Sequence, residues 1–387
     1  MQALYLKKKL LCVAAVLLMM LPLTGCWSYV GLNEIAIVYG VAVDKNDDGT
    51  YHMSFESSDL TAVGTGKSTT VLIEGDGVTI HDAVRNAMLN TKSTLYFGNC
   101  DILIISSRIA AQDGLRSVMD FFYKNTGIRE TNLLSISKME TAKEVLGAYM
   151  QTPHIASTDI YTQIIEDNQA TCTLLVTRIF EFYNLMQLDG QQSVGLPGLV
   201  TVVKDNKKII ELDGTVVLKD DKLAGYLTPL QGRMVMLARG ECKGGMLSFK
   251  TDALTGKEEN VSVGIRGCQA KISFTDHDGI PDFHIKVKAK VYLIEGAIPA
   301  GTKMTDCIST VKKLTEAYIN TNLEHTARYL FDDLNCDVIG LGADIYRHDF
   351  HYWYDLRDNW SALMNRIPVT VDSDVTVLST GKSKSFY

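Results

Sequence analysis

The chain has 387 residues, of which 46% are hydrophobic and 21% are charged, a composition typical of folded globular proteins. Its formal net charge of -7 disfavours a nucleic-acid partner, because phosphate backbones are bound by basic surfaces. A chain of this length exceeds what one hydrophobic core usually organises, so we expect two or three domains.

The first 25 residues have the pattern of a signal peptide. Three lysines at positions 7–9 precede twelve uncharged residues, Leu10 to Leu21. Twelve helical residues extend only about 18 Å, less than a hydrocarbon core of roughly 30 Å, so the run predicts a signal sequence. The stretch Leu23-Thr24-Gly25-Cys26 resembles a bacterial lipobox, in which the Cys26 thiol receives a diacylglyceryl group and cleavage makes Cys26 the N-terminus. An ordinary secretory peptide with an incidental cysteine is the alternative.

Acylation of Cys26 would make lipid the membrane anchor of this protein. Two or three acyl chains contribute roughly 0.8 kcal/mol per buried CH2 group, which is enough for stable attachment. Cleavage before Cys26 would remove three lysines and no acid, leaving 35 basic and 45 acidic residues and a net charge of -10. Such an acidic body is not expected to lie flat on anionic lipid.

Residues 26–190 alternate between strand and helix patterns, which predicts an N-terminal mixed α/β domain. A β-hairpin is expected over 34–56, with its turn at 44–49. Further strands are expected at 68–77, 100–107 and 131–138, and helices at 79–90, 114–125 and 139–150.

Residues 191–250 predict a small β-rich middle domain. The stretch 191–200 indicates a linker or an irregular strand entry, because glycine and proline interrupt its apolar residues. Two hairpins are expected at 201–212 and 214–227, followed by a helix at 228–238 and a strand at 246–249.

Residues 251–387 predict a C-terminal α/β domain. Two strands, 261–274 and 283–295, are followed by a long helix over 303–334. Its two apolar stripes are rotated about a third of a turn, so the helix either bends near 319–322 or is broadly buried. The final stretch, 367–381, alternates as a strand and is expected to join the preceding sheet.

Three short motifs invite a chemical interpretation that their surroundings do not support. Residues 64–69, GTGKST, lack the first glycine of a phosphate loop and precede a strand rather than a helix. Residues 44–49, DKNDDG, have Phe55 where a calcium loop needs its bidentate acid. His348 and His351 have metal-ligand spacing but no third ligand nearby. We therefore predict no enzyme activity, no metal and no cofactor.

The cysteines show no zinc or CxxC spacing. Without Cys12 and Cys26, six remain, and both disulfides and buried free thiols are compatible with their positions. They are Cys100, Cys172, Cys242, Cys268, Cys307 and Cys336.

Several motifs along the whole chain resemble one known family. The chain opens with Gly25-Cys26-Trp27 and then LNEIAIVYGVAVD, and its hairpin 214–227 contains Gly214 and Gly225. The most specific part is C-terminal, where DVIGLGADIYR precedes two tryptophans and VTVDSDVTVLSTG. These features resemble the Ger(x)C spore germination lipoproteins, the C subunits of nutrient germinant receptors. The C-terminal residues that carry the resemblance are Asp337, Gly340, Gly342, Arg347, Trp353 and Trp360.

Several of these residues also predict structural roles. Asn335 and Gly340 can adopt the left-handed conformations that end the long helix. Trp353 and Trp360 are seven residues apart, so they share a helix face and are expected to cap a core rather than bind a ligand.

The resemblance implies a fold, a location and partners. The fold is a three-domain mixed α+β lipoprotein with mostly antiparallel sheets packed on helices. The protein would be a non-catalytic subunit on the outer face of the spore inner membrane, docked to the integral membrane A and B subunits, and would help trigger germination. The alternative is a solute-binding lipoprotein of a transporter, which would need two similar lobes. A lipid-anchored hydrolase lacks support because no catalytic constellation is evident.

Overall fold

The computed structural model describes most of the chain after its N-terminal segment. The described residues are 2–20, 34–58, 70–91, 93–124, 127–149, 152, 154–188, 190, 193–253, 257–296 and 303–379. Cys26, Trp27 and the motif at 64–69 lie outside them. The first helix, α1, is Gln2–Met20. In this described part, no helix has the length and apolar character needed to cross a membrane.

The first sheet has nine strands. They are β1 (Ile35–Lys45), β2 (Tyr51–Ser58), β3 (Thr70–Gly77), β4 (Thr94–Tyr96), β5 (Ile102–Ser106), β6 (Leu133–Ser137), β7 (Ser193–Lys204), β8 (Lys207–Lys219) and β9 (Lys222–Leu227). Their order is β3-β2-β1-β5-β6-β7-β8-β9, with β4 paired to β1. The central strands β1, β5, β6 and β7 pair in parallel, and antiparallel strands flank them on both sides.

Helices cover both faces of this sheet, because parallel neighbours require crossover connections. The helices are α2 (Ile80–Thr91), α3 (Ser107–Gln112), α4 (Arg116–Lys124), α5 (Ala142–Leu146), α6 (Ala156–Thr162), α7 (Asn168–Thr171) and α8 (Ile179–Gln187), with a π-helix at Gln163–Asp167. Strand β5 is buried throughout: Leu103 and Ile105 belong to the core under α2–α4 and α8, whereas Ile102 and Ile104 belong to the core under α5 and α6.

The second half is built on a four-stranded sheet. Its elements are α9 (Pro229–Ala238), β10 (Met246–Thr251), β11 (Glu259–His277), β12 (Ile280–Glu295), α10 (Met304–Arg328), a π-helix (Tyr329–Asp333), α11 (Leu341–His348), α12 (Phe350–Leu356), a 3-10 turn (Arg357–Asn359), α13 (Trp360–Leu363), another 3-10 turn (Met364–Arg366) and β13 (Val369–Val377). The strand order is β10-β11-β12-β13. The last strand pairs in parallel with β12, which confirms that it extends the preceding sheet.

The long C-terminal helix is confirmed, and most of its residues are buried or half-buried. Helix α10 runs continuously through 319–322. Its buried residues recur mostly every four positions, and each such step rotates the stripe by about 40° around the axis. The two predicted stripes are therefore parts of one drifting stripe, which comprises Cys307, Val311, Thr315, Ile319, Leu323, Thr326 and Ala327.

The strands of segment 191–250 are divided between the two sheets. Strands β7, β8 and β9 extend the first sheet, whereas β10 is an edge of the second. The family-based fold class, a mixed α+β structure with a long C-terminal helix, is confirmed. The division into three domains at 190 and 250 stays a prediction.

Candidate functional site: the junction between the two sheets

Asp337 is a buried carboxylate in the loop that precedes α11. Its Oδ1 accepts hydrogen bonds from the N–H groups of Gly340 (2.7 Å) and Leu341 (3.0 Å), and its Oδ2 from Gly342 (2.8 Å). Gly340 has a φ of 93°, a left-handed conformation that glycine adopts at little cost. Burial raises the pKa of Asp337, and the three N–H donors act in the opposite direction. The carboxylate thus satisfies the N-terminus of α11.

Gly342 lies where no side chain fits. A Cβ atom at this position would lie 2.5 Å from the carbonyl oxygen of Gly190 and 3.1 Å from both Trp353 and Trp360. The two buried indole rings meet edge to face, with centroids 5.3 Å apart. A 3-10 turn separates the two tryptophans into α12 and α13, so they do not share a face of one helix as predicted, although their rings contact each other. The ring of Trp360 packs against the second sheet through Phe283 of β12.

Residues 335–342, which comprise the loop before α11 and the first two residues of that helix, are here called the junction loop and join the second half to the first sheet. The N–H group of Asp337 donates to Ser193 Oγ at the start of β7 (3.0 Å). Lys219 Nζ, at the end of β8, donates to Asn335 Oδ1 (3.0 Å). Asn335 has a φ of 50°, so the predicted left-handed turn is present. The junction loop therefore fixes the adjacent ends of β7 and β8 in the first sheet against the second half of the chain.

The remaining family-motif residues lie at different distances from the junction loop. Gly225 of β9 packs against Leu334, which directly precedes the loop. Gly214 has a φ of 65° and lies against the carbonyl oxygen of Leu227. Arg347 is mostly exposed on α11, where its Nε donates to the carbonyl oxygen of Ala343 (3.1 Å). The structure thus brings most of the predicted residues to one place, while their part in function stays a prediction.

Two further buried carboxylates cap helices, a role that the sequence did not predict; Asp44 was expected in the 44–49 turn. Asp44, at the end of β1, accepts hydrogen bonds from the N–H groups of Ala142 (2.6 Å) and Lys143 (2.9 Å) at the start of α5. Glu56 of β2 accepts from the N–H groups of Ala156 and Ser157, both at 2.8 Å, at the start of α6. Burial raises the pKa of both acids. Both acids lie within strands, Asp44 in the apolar β1 and Glu56 in the more polar β2.

The other motifs have structural explanations where the structure describes them. Residues 46–49 form the β1–β2 turn, in which Asp48 accepts hydrogen bonds from Thr50. His348 Nδ1 lies 2.9 Å from the carbonyl oxygen of Asp344, and His351 is exposed. Over the described ranges, no three His, Cys, Asp or Glu side chains are arranged to hold a metal ion.

Three of the six scattered cysteines lie near one another. The thiol of Cys242 is close enough to influence the ionisation of Cys172 and Cys268. Hydrogen bonding by Cys242 lowers the pKa of Cys172 to about 6 and also lowers that of Cys268, while the pKa of Cys242 is raised. Elsewhere, burial raises the pKa of Cys100 to about 12 and that of Cys336 to about 11. All six are free thiols in this structure.

The thiols are therefore expected to differ in reactivity. In the reduced folded protein at pH 8, iodoacetamide should label Cys268 before Cys100 and Cys336, because Cys268 is partly exposed and has a lowered pKa. Peptide mass spectrometry after timed labelling measures the three rates, and labelling in urea serves as the control in which the rates converge. Labelling of Cys100 at the rate of Cys268 in the folded protein would contradict this assignment.

Comparisons with known proteins agree with this architecture. Two family models match the chain, "Spore germination protein N-terminal domain" over residues 28–201 and "Spore germination B3/GerAC like, C-terminal" over residues 213–381. Spore germination protein KC of Bacillus subtilis strain 168 is 22% identical, with 97% of this chain and 96% of that protein aligned. Spore germination protein B3 of the same organism is 20% identical, with 94% of this chain and 96% of that protein aligned.

A solved structure shares the fold. The crystal structure of the GerBC protein superimposes with a TM-score of 0.57 at 16% identity, covering 88% of this chain and 97% of that one. Both halves of the chain thus match the germination family in sequence, and nearly the whole chain matches in fold. The protein belongs to the Ger(x)C family of spore germination proteins.

Proposed function

We propose that the protein is a non-enzymatic, lipid-anchored subunit of a nutrient germinant receptor. It would stand on the outer face of the spore inner membrane, docked to the integral membrane A and B subunits, and would help trigger germination. The observation that carries this proposal is the match of both halves to the germination family, in a chain that begins with a lipobox-like sequence ending at Cys26.

The proposed mechanism is docking and coupling. An acylated Cys26 would confine the body to the membrane surface, where a tethered domain meets integral partners at a high effective concentration. The junction loop supports this role, because its hydrogen bonds to Ser193 and Lys219 join the two sheets. Displacement of one half would then be transmitted to the other.

Replacement of Cys26 by alanine tests the anchor. The variant is expected to keep residues 1–25 and to lose the diacylglyceryl group, because the acylated and cleavage-directing thiol is absent. Germination in response to the nutrient of this receptor should fall. Mass spectrometry of the protein from spore membranes measures both modifications, and the loss of optical density measures germination.

Cys12→Ala is the matched control for this experiment. Cys12 lies inside the segment that cleavage would remove, so the mature protein and its germination response should be unchanged. A response to a nutrient read by a different receptor should persist in both variants. Unchanged membrane retention and germination in Cys26→Ala would contradict the proposed anchor.

Isolation of the native protein tests the partners. Protein recovered from spore membranes under mild detergent is expected to bring two integral membrane proteins with it. Recovery with an ATPase and a permease would instead assign the chain to a transporter and refute the receptor proposal.

A further inference from the structure

An open cavity of about 730 Å³ lies where the two halves of the molecule meet. One wall is formed by α7 and α9, and the opposite wall is formed by β11, β12 and α10. The glycine-containing loop 243–246 closes one side. The residue types around the cavity, rather than its size, indicate what it can hold.

Three cations line the cavity, and none of the described lining residues is acidic. The cations are Arg233, Lys243 and Arg266. None of them forms an ion pair within 4.0 Å of a carboxylate among the described residues, although the chain has 45 acidic residues against 38 basic ones. Lys243 and Arg266 are exposed and solvated, whereas Arg233 is partly buried, and a partly buried cation without a carboxylate partner is stabilised by a bound anion.

Arg233 is half-buried in the cavity wall. Among the three cations it is the least exposed to water, so the lack of a carboxylate partner costs the most free energy at this residue. Its Nε and Nη2 donate to the carbonyl oxygen of Thr171 at 3.2 and 3.0 Å. A guanidinium has five N–H donors, so this single oxygen leaves several available for a ligand. Burial lowers the pKa of Arg233, because the charged form is less well solvated there than in water.

Two tyrosines complete the wall and fix its geometry. The guanidinium carbon of Arg266 lies 5.0 Å from the ring centroid of Tyr292, an arrangement that orients the charged group. Tyr318 of α10 stacks on Phe249, with centroids 5.1 Å apart. The cations are thus presented beside rigid aromatic surfaces.

Nearby groups do not neutralise this charge. The titratable groups that act on Arg233 are the thiols of Cys172 and Cys242 and the phenol of Tyr318. A thiolate at Cys172 would supply one negative charge against three positive ones. The cavity would still carry an excess of two positive charges.

We propose that this cavity is a binding site for a small multivalent oxyanion, a phosphate or a polycarboxylate. A zwitterionic amino acid is disfavoured, because its ammonium group would meet three cations and no carboxylate. A lipid headgroup offers the same phosphate chemistry but only one charge on a phosphodiester. The site does not depend on membrane anchoring or on receptor membership.

Calorimetric titration of the full-length protein in detergent at low salt tests the site. Inorganic phosphate is expected to bind saturably and more tightly than acetate, while glycine should show no binding. Arg266→Gln and Lys243→Gln should each weaken phosphate binding about tenfold, which corresponds to roughly 1.4 kcal/mol. Both side chains are exposed, so these variants are expected to fold.

Arg108→Gln is the matched control, because it removes an exposed arginine of α3 that pairs with Asp47 and does not line the cavity. Phosphate binding should be unchanged in this variant. Absence of saturable phosphate binding, equal weakening in Arg108→Gln, or glycine binding as tight as phosphate would each overturn the proposal. Tighter binding of short-chain phosphatidylglycerol than of phosphate would assign the cavity to a lipid headgroup and overturn the preference for a multivalent anion.

Discussion

Asp337→Asn is expected to destabilise the folded protein by about 2–3 kcal/mol, the cost of leaving buried polar groups unsatisfied. The carboxylate accepts three N–H groups through both oxygens. An asparagine has one acceptor oxygen, so in either orientation its NH2 group faces an N–H donor. Urea unfolding followed by tryptophan fluorescence measures the change, because two of the three tryptophans, Trp353 and Trp360, lie beside this loop.

Asp349→Asn provides the comparison for Asp337→Asn. Asp349 also caps a helix, since its side chain accepts from the N–H group of Tyr352 (2.9 Å), but it is exposed. Asparagine is as good an N-cap residue as aspartate, so the change should be within about 0.5 kcal/mol. Equal effects of the two substitutions would show that burial of Asp337 has no energetic importance.

Trp353→Ala is expected to cost about 3–5 kcal/mol, because it removes a large buried side chain and leaves a cavity. The indole packs against Trp360 and over Gly342. Trp353→Phe should cost less, because it retains most of the packing and removes an indole N–H that has no partner in the described part of the chain. Urea unfolding followed by circular dichroism measures both variants without relying on tryptophan emission.

Phe350→Ala is the matched control on the same helix. Phe350 is 52% exposed, so its truncation should cost much less than that of Trp353. A Trp353→Ala variant as stable as Phe350→Ala would show that the paired tryptophans do not hold this core together.

The sequence predicted elements well where local periodicity matched burial. Strand β12 alternates apolar and polar residues, and in the structure Val287, Ala289 and Val291 face the core while the lysines between them are exposed. Helix α2 buries Ile80, Ala83, Val84 and Ala87, as its spacing predicted. In both elements one face is buried, so hydrophobic period and structure coincide.

Features that depend on distant residues were not predictable in this way. Helices α6–α8 were missed, and the helix expected over 139–150 is only Ala142–Leu146. Asp44 and Glu56 bind helix starts that are about 100 residues away in sequence, so no local pattern identifies their partners. Likewise, the proximity of Cys172, Cys242 and Cys268 depends on how the halves pack.

The pairing of β7 with β8 limits where the chain can be cut into fragments and which segments can be exchanged between relatives. One family match ends at residue 201 and the other begins at 213, yet β7 and β8 are hydrogen-bonded from Ser193 with Lys219 to Lys204 with Lys207. A break in this interval would leave each fragment with an unpaired sheet edge, a template for aggregation. The two sequence modules are thus halves of one folding unit, and exchange of one between relatives would require a compatible hairpin.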